Sequence, residues 1–166
     1  MKSANKSMYK PRPGDYGVVK TNGFFGFLIR LGTFSRWNHC FIYIDKDFII
    51  GADPTGVKPS PTANYKDIAW NKHERLTEKQ RETIVNSAVD AIGEHYGFFT
   101  IALLTFRILG LKILANPPLL KRIAAKDGFI CSELVQACYL KAGVTLVDKP
   151  DYLVVPGDLA ERLIYQ

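Results

Sequence analysis

Cys131 lies where a turn is followed by a helix, a position that suits a nucleophile. Asp127 and Gly128 supply the turn, and the pattern predicts a helix over residues 130–142, in which Cys131 and Cys138 share one face. A thiol in the first turn meets unpaired backbone N–H groups and the positive end of the helix dipole, which both stabilise a thiolate. The same N–H groups are suited to hold an oxyanion.

The alternative interpretation of Cys131 is a small buried packing residue, which is what most free cysteines are. On this segment alone the packing interpretation is favoured. Cys138 lies in the middle of the helix without free N–H groups, so we expect it in the core. Glu133 and Ser132 follow the cysteine, and we expect capping and helix-start roles for them rather than catalysis.

A nucleophilic cysteine needs a base, and the chain has three histidines. His73 lies in a polar loop and His95 near a helix end, so neither is favoured. His39 opens a β-rich run, from which it can face the N-terminus of a helix packed on the sheet. Strand alternation puts Cys40 on the opposite side from His39, where we expect it to be packing. Without Cys131, a hydrogen-bonded structural role is preferred for His39.

The elements that must position these two residues are those of an α+β protein. Strands are expected over 16–18, 39–44 and 48–53, and residues 54–63 read as a Pro/Ser/Thr loop. An apolar helix is expected within 23–38. A second is expected over 76–97, with Thr77 and Gln80 as a capping box. Its predicted apolar face comprises Ile84, Val85, Ala88, Val89 and Ile92. A last helix ends the chain, where Asp158 and Glu161 again have capping-box spacing.

Composition bounds the class of protein. The chain has 166 residues, 47% apolar and 23% charged, which fits one domain over 11–166 after a flexible, basic segment at 1–10. The net charge of +6 favours anionic surroundings such as cell-wall polymer or lipid headgroups. Three cysteines without metal-site spacing indicate neither a disulfide scaffold nor a metal centre, and no cofactor or nucleic-acid motif is found.

Residues 98–120 form the most apolar part of the chain, FFTIALLTFRILGLKILANPPLL. Arg107 and Lys112 interrupt it and two prolines end it, whereas a membrane span needs about 20 largely uncharged residues. We therefore expect core or interfacial helices here, with contact to a membrane surface as an alternative. The N-terminus lacks the apolar region of a secretory signal, so we expect synthesis in the cytoplasm and, for a cell-wall enzyme, delivery by phage or other machinery.

Four segments together carry a family resemblance: RPGD at 12–15, SRWNHCFIYI at 35–44, GFICSELVQACY at 128–139 and VVPGDLA at 154–160. They resemble the circularly permuted branch of the NlpC-type papain-like cysteine hydrolases, which includes the YiiX/YaeF-like proteins and the lecithin–retinol acyltransferase-like group. The resemblance spans nearly the whole chain. It implies a permuted papain-like fold, in which a small antiparallel sheet packs on the cysteine helix.

The resemblance also implies roles, with Cys131 as nucleophile and His39 as general base. The family usually adds a polar residue, commonly glutamate, on the following strand, and here that place is taken by Gly51. Asp53 lies on the same side of an extended strand and is our candidate for the third catalytic residue. The alternative is that a water or a backbone carbonyl orients His39, with weaker activity.

Other candidates near the site carry less weight. Tyr16 is a candidate oxyanion donor, with a strand-edge aromatic as the preferred alternative. Ser35, Arg36 and Asn38 precede the base and are candidates to line a substrate groove. Trp37 is a candidate to wall it, with a large core residue as the alternative.

The leading hypothesis is a cysteine hydrolase that cleaves an amide bond in peptides of peptidoglycan, the substrate class implied by the resemblance. A lipid-directed thioesterase or acyltransferase is the first alternative, based on the same pair of residues and on 98–120. A catalytically inactive binding module of the same fold is the second, supported by Gly51.

Overall fold

Five antiparallel strands form one sheet at the centre of the protein, in the spatial order β4-β3-β2-β1-β5. The structure is a computed structural model that describes residues 9–72, 75–97 and 128–164 together with positions 118, 122 and 126. The expectations for 98–120, for His73 and for most of the segment 1–10 therefore fall outside the described residues. The strands are β1 (Tyr16–Val19), β2 (His39–Tyr43), β3 (Phe48–Asp53), β4 (Gly56–Pro61) and β5 (Ala69–Trp70).

Four α-helices are described around this sheet, and two of them begin as the sequence predicts. The capping box of the second helix is confirmed: the Gln80 N–H donates to Thr77 Oγ1 at 3.2 Å, and the Thr77 N–H donates to Gln80 Oε1 at 3.0 Å. The cysteine helix begins at Cys131 itself. The helices are α1 (Phe24–Thr33), α2 (Glu78–Asp90), α3 (Cys131–Lys141) and α4 (Pro156–Ile164).

Three local predictions were wrong. Residues 54–63 contain strand β4 rather than only a loop, because an edge strand tolerates prolines that a central strand does not. Val89 on α2 and Ile92 just beyond its end are 46% and 43% exposed, while Arg81 and Ser87 of α2 are buried, as are Ile84 and Ala88. Asp158 lies inside the first turn of α4 and does not precede it; its carboxylate accepts a hydrogen bond from the Val155 N–H at 3.1 Å.

The sheet buries both of its faces. On one face, side chains of β1 and β2, among them Tyr16, Cys40 and Ile42, join α2 and α3 in the main core. On the other face a smaller cluster contains Phe41 and Tyr43, with partly buried aromatic side chains packed against it. Strand alternation thus assigns neighbouring residues of β2 to opposite faces.

The RPGD turn is held by a buried polar cluster, which we call the turn cluster: Asp15, Arg81 and Tyr139. The carboxylate of Asp15 accepts hydrogen bonds from the Arg81 guanidinium at 2.9 Å and from the Arg12 N–H and the Tyr9 hydroxyl at 2.7 Å each. The hydroxyl of Tyr139, on α3, donates to the Gly14 carbonyl at 2.7 Å. The cluster therefore ties the start of the sheet to both core helices.

Candidate active site

A tight turn immediately precedes the first residue of α3. Gly128 has φ +91°, and a Cβ there would lie 2.0 Å from the His95 carbonyl oxygen, so only glycine fits. The Phe129 N–H donates to that same carbonyl at 2.9 Å, and the Ile130 N–H donates to Glu133 Oε2 at 3.4 Å. The capping role predicted for Glu133 is thus confirmed. Cys131 follows directly as the first residue of the helix.

Cys131, His39 and Cys40 meet at the helix start, and we call them the thiol cluster. The pKa of the Cys131 thiol is held well below its usual value, foremost because the Cys40 thiol donates a hydrogen bond to its sulfur. Burial opposes this effect. A hydrogen bond from the His39 side chain, its positive charge and the Cys40 backbone N–H act in the same direction as Cys40. The first residue of α3 thus carries a thiol that favours its ionised form.

His39 is 9% exposed, and its ring lies beside the aromatic rings of Phe41 and Tyr65. Its ring stacks on Tyr65 with centroids 5.7 Å apart and meets the ring of Phe41 edge-on at 5.9 Å. The Tyr65 hydroxyl lies 3.5 Å from His39 Nε2. Tyr65 was missed from the sequence because it follows a short 3₁₀ turn (Thr62–Asn64), far from any motif.

The strand beside His39 carries Gly51 and Asp53. A Cβ at Gly51 would lie 3.5 Å from His39 Cε1, so this position faces the imidazole. Because the residue is glycine, it has no side chain that could hydrogen-bond to His39. The carboxylate of Asp53 accepts hydrogen bonds from Lys58 Nζ at 2.9 Å and from the Thr55 N–H and hydroxyl at 2.8 and 2.6 Å. Those hydrogen bonds keep the Asp53 pKa below its usual value, against the opposing effect of burial.

Cys40 is not a mere packing residue. It is fully buried in the main core with residues of α3, whereas the sequence predicts it on the side of the sheet away from the helix. Its side chain is also the foremost cause of the lowered Cys131 pKa. Burial, together with the hydrogen bond and the charge of Cys131, raises the Cys40 pKa well above its usual value, so Cys40 acts as the donor. This role was missed from the sequence, because the helix side of the sheet was assigned to His39 and the opposite side to Cys40.

The remaining candidates divide into structural and groove-lining side chains. The Tyr16 hydroxyl donates its proton to the Leu159 carbonyl at 3.0 Å, so that proton is engaged by the backbone rather than offered to an oxyanion. Asn38 is buried and exchanges hydrogen bonds with Thr21, including its amide oxygen with the Thr21 N–H at 2.8 Å. Ser35 Oγ accepts from the Trp37 N–H at 3.1 Å.

Two neighbouring cavities meet at Tyr65. The smaller, of about 120 Å³, is lined by His39 and Asp53 among others. The larger, of about 700 Å³, carries three cationic side chains and one carboxylate: Lys20, Arg36, Lys66 and Asp67. Trp37 also lines it, with the Arg36 guanidinium 4.5 Å from the centre of its ring. A cationic cleft therefore adjoins the histidine.

Within residues 9–72, 75–97 and 128–164, no group of three His, Cys, Asp or Glu side chains is arranged to hold a metal ion. None of the helices described there combines the length and apolarity that crossing a membrane requires.

Comparison with solved structures finds a similar fold. The crystal structure of the metalloprotein YiiX from Escherichia coli O157:H7 superposes with a TM-score of 0.60 at 19% identity, over 83% of this chain and 70% of that chain. The protein thus has a YiiX-like α+β fold with a small antiparallel sheet. No family model and no curated protein matches the sequence.

Proposed function

We propose that the protein is a cysteine hydrolase that cleaves an amide bond in peptides of peptidoglycan. The observation that carries the proposal is the placement of Cys131 as the first residue of α3, where the side chains of Cys40 and His39 lower the pKa of its thiol. The order of the two elements, base strand before nucleophile helix, is the permuted papain-like order that the sequence motifs imply. The YiiX-like fold is compatible with it.

The reaction follows from the positions of these groups. His39 takes the proton of Cys131, and the thiolate attacks the carbonyl carbon of the substrate. Backbone N–H groups in the first turn of α3 stabilise the tetrahedral oxyanion. The imidazolium then protonates the leaving amine, a thioester remains, and a water activated by His39 hydrolyses it.

Two side chains are candidates to hold His39 in its working orientation. Asp53, the sequence candidate, lines the same small cavity and contributes negative charge near Tyr65. Tyr65 makes the contact with Nε2, at 3.5 Å. We propose that Tyr65 positions the ring by contact and that Asp53 acts on the pair through its charge, because its oxygens are occupied by Thr55 and Lys58.

The cationic cleft supports a substrate with anionic groups. Lys20, Arg36 and Lys66 line it together with Tyr65. Peptides with free carboxylates beside the scissile bond, as in peptidoglycan, would gain charge-assisted hydrogen bonds there. Ser35 and Asn38 support the segment that carries Arg36 and Trp37 by the hydrogen bonds described above.

Digestion of purified peptidoglycan tests the proposal. The wild type is expected to release peptide fragments, while Cys131→Ala, which keeps the fold but lacks the sulfur, releases none. The Cys138→Ala variant is the matched control, because it removes a buried thiol from the same helix away from the site. Identical product profiles for wild type and Cys131→Ala would remove the proposal and favour an inactive binding module.

A lipid-directed thioesterase or acyltransferase remains a second candidate because of α1. This helix exposes Phe27 and Leu31 to 53% and 52%, and Phe34 just beyond it to 78%. Their spacing places them along one side of a helix that also lines the small cavity through Ile29. Flotation with anionic vesicles tests this candidate: it requires binding of the wild type that Phe27→Ser with Leu31→Ser abolishes. Absence of vesicle binding would count against it.

A further inference from the structure

The cationic cleft beside His39 draws its charged side chains from three separate segments of the chain. Lys20 directly follows β1, Arg36 lies between α1 and β2, and Lys66 lies between the 3₁₀ turn and β5. With Asp67, the described lining residues carry three positive charges and one negative charge, a net formal charge of +2. A cleft lined mostly by one sign of charge concentrates ligands of the opposite sign.

Hydrogen bonds of Asn38 hold two of these segments together. Its amide oxygen accepts from the Thr21 N–H at 2.8 Å, and its amide nitrogen donates to the Thr21 carbonyl at 3.1 Å and to the Thr21 hydroxyl at 3.0 Å. Asn38 is 1% exposed, and a Cβ at Gly26 of α1 would lie 2.2 Å from its amide nitrogen. Lys20 and Arg36 adjoin this contact, so their backbone positions relative to each other are preorganised for a ligand.

Arg36 is suited to recognise a carboxylate. Its guanidinium carbon lies 4.5 Å from the centre of the Trp37 ring, and contact with an aromatic ring restricts the orientation of a guanidinium. The N–H groups along one edge of a guanidinium donate two parallel hydrogen bonds to the two oxygens of a carboxylate. A primary amide offers one oxygen and one NH₂ group in the same place, so one of those two donors would meet another donor.

The cleft lies next to the groups that are proposed to react. Tyr65 and Thr21 line both the cleft and the smaller cavity, and the Tyr65 hydroxyl lies 3.5 Å from His39 Nε2. Lys66 is the next residue after Tyr65, and consecutive Cα atoms are about 3.8 Å apart. A substrate whose scissile bond lies at His39 can therefore place a carboxylate of an adjoining residue in the cleft.

We propose that the cationic cleft is a specificity subsite, which selects peptides with a free carboxylate beside the scissile bond over the same peptides with that carboxylate amidated. Arg36 determines the specificity, and Lys20 and Lys66 add positive charge. The proposal rests on the proposed hydrolase function and deepens it, since it names the chemical group that the site recognises. The carboxylate belongs to the C-terminus or to a side chain of the peptide, and its chemistry is the same in both places.

Binding to Cys131→Ala, which lacks the nucleophile, tests the subsite without turnover. The probes are a synthetic peptide of the peptidoglycan type with a C-terminal and a side-chain carboxylate, and its forms with either or both groups amidated. Isothermal titration calorimetry should give a Kd at least about tenfold lower for the peptide with both carboxylates than for the doubly amidated one. The singly amidated form that binds weakly identifies the carboxylate held in the cleft. Equal Kd values, or binding of neither peptide, would overturn the proposal.

Removal of charge from the cleft should abolish this discrimination. In the same background, Arg36→Gln should raise the Kd of the peptide with both carboxylates about tenfold and Lys66→Gln about threefold, with the Kd of the doubly amidated peptide unchanged. Lys46→Gln is the matched control, because this lysine lies in the turn between β2 and β3 and its side chain is 88% exposed. Discrimination that survives Arg36→Gln combined with Lys66→Gln would contradict the proposal.

Turnover by the wild type separates this proposal from the proposed function. The peptide with both carboxylates should have a lower KM than the amidated one and a similar kcat, because the cleft contacts a group that does not react. Discrimination in binding without any cleavage would refute the hydrolase and leave the subsite standing. Cleavage of both peptides with the same KM would refute the subsite and leave the hydrolase standing.

Discussion

The turn cluster and the thiol cluster are both buried against α3, yet they use burial in opposite ways. In the turn cluster, the Asp15 carboxylate is neutralised by Arg81, and their side chains are 0% and 4% exposed. The hydrogen bonds of Arg81 and Tyr139 there join the RPGD turn to α2 and α3. Such a pair fixes the structure and leaves little capacity for reaction, because its charges and lone pairs are already occupied.

The thiol cluster is buried like the turn cluster, but it contains an ionisable thiol, that of Cys131, whose ionised form is stabilised by its neighbours. Cys131 receives hydrogen bonds from Cys40 and His39, and its pKa is lowered despite desolvation. His39 borders a cavity. The comparison teaches that burial alone does not separate structural from chemical residues. What separates them is whether the stabilised form is a reactive one with an adjacent cavity.

The largest effect is expected from removal of the sulfur. Cys131→Ala should lower the hydrolysis rate at least about a thousandfold, because nucleophile and base act as a unit. Its free energy of unfolding should change by only about 1 kcal/mol, since one small buried side chain is shortened. Fragment release from peptidoglycan and thermal unfolding measure the two. A rate within threefold of wild type would contradict the role of Cys131.

Disrupting the turn cluster should lower stability strongly and leave the reactivity of Cys131 unchanged. Arg81→Met leaves the Asp15 carboxylate buried without its cation, which should lower the free energy of unfolding by about 3–5 kcal/mol. Urea denaturation measures it, and the alkylation rate of Cys131 in the folded variant should match wild type. Arg12→Ala is the matched control, because its ion pair with Glu78 is exposed and should contribute less than about 1 kcal/mol. Equal losses of unfolding free energy in Arg81→Met and Arg12→Ala would contradict a special structural role for the buried ion pair of the turn cluster.

A smaller effect is expected from the residue that contacts the base. Tyr65→Phe keeps the stacked ring but removes the hydroxyl near Nε2, and should lower kcat about tenfold with little change in KM. Steady-state kinetics measure it. An unchanged kcat would assign the orientation of His39 to another group.

The smallest effect should come from Asp53→Asn. The substitution removes a negative charge near Tyr65 but keeps a side chain of the same shape, so we expect a loss of about twofold to fivefold in kcat. A loss larger than that of Tyr65→Phe would make Asp53 the orienting residue.

Much of the fold could be predicted from periodicity and turn chemistry. The start of α3, the capping box at Thr77 and the strand that begins at His39 all follow from local patterns, and all are observed. Strand β4 was missed because its prolines indicate a loop unless one knows that the strand lies at the edge of the sheet. The buried Arg81 was missed because its partner, Asp15, is distant in sequence.

The candidate site shows the same division. Residue types and spacing single out Cys131 and His39, since each stands at the start of an element. Tyr65 and the thiol contact of Cys40 depend on how the strand, the turn and the helix pack together, and no local pattern encodes that. The position of Asp53 on β3 was predictable, but its engagement by Thr55 and Lys58 was not.

The most direct test is the pH dependence of Cys131 alkylation by iodoacetamide in the native protein, with Cys138 as the internal reference. Because its pKa is lowered, Cys131 should stay reactive as the pH falls below the usual thiol range near about 8.5, and lose reactivity only at lower pH. In His39→Ala the dependence should move toward higher pH. A Cys131 that reacts only together with Cys138, or with the same pH dependence in both proteins, would contradict an activated nucleophile.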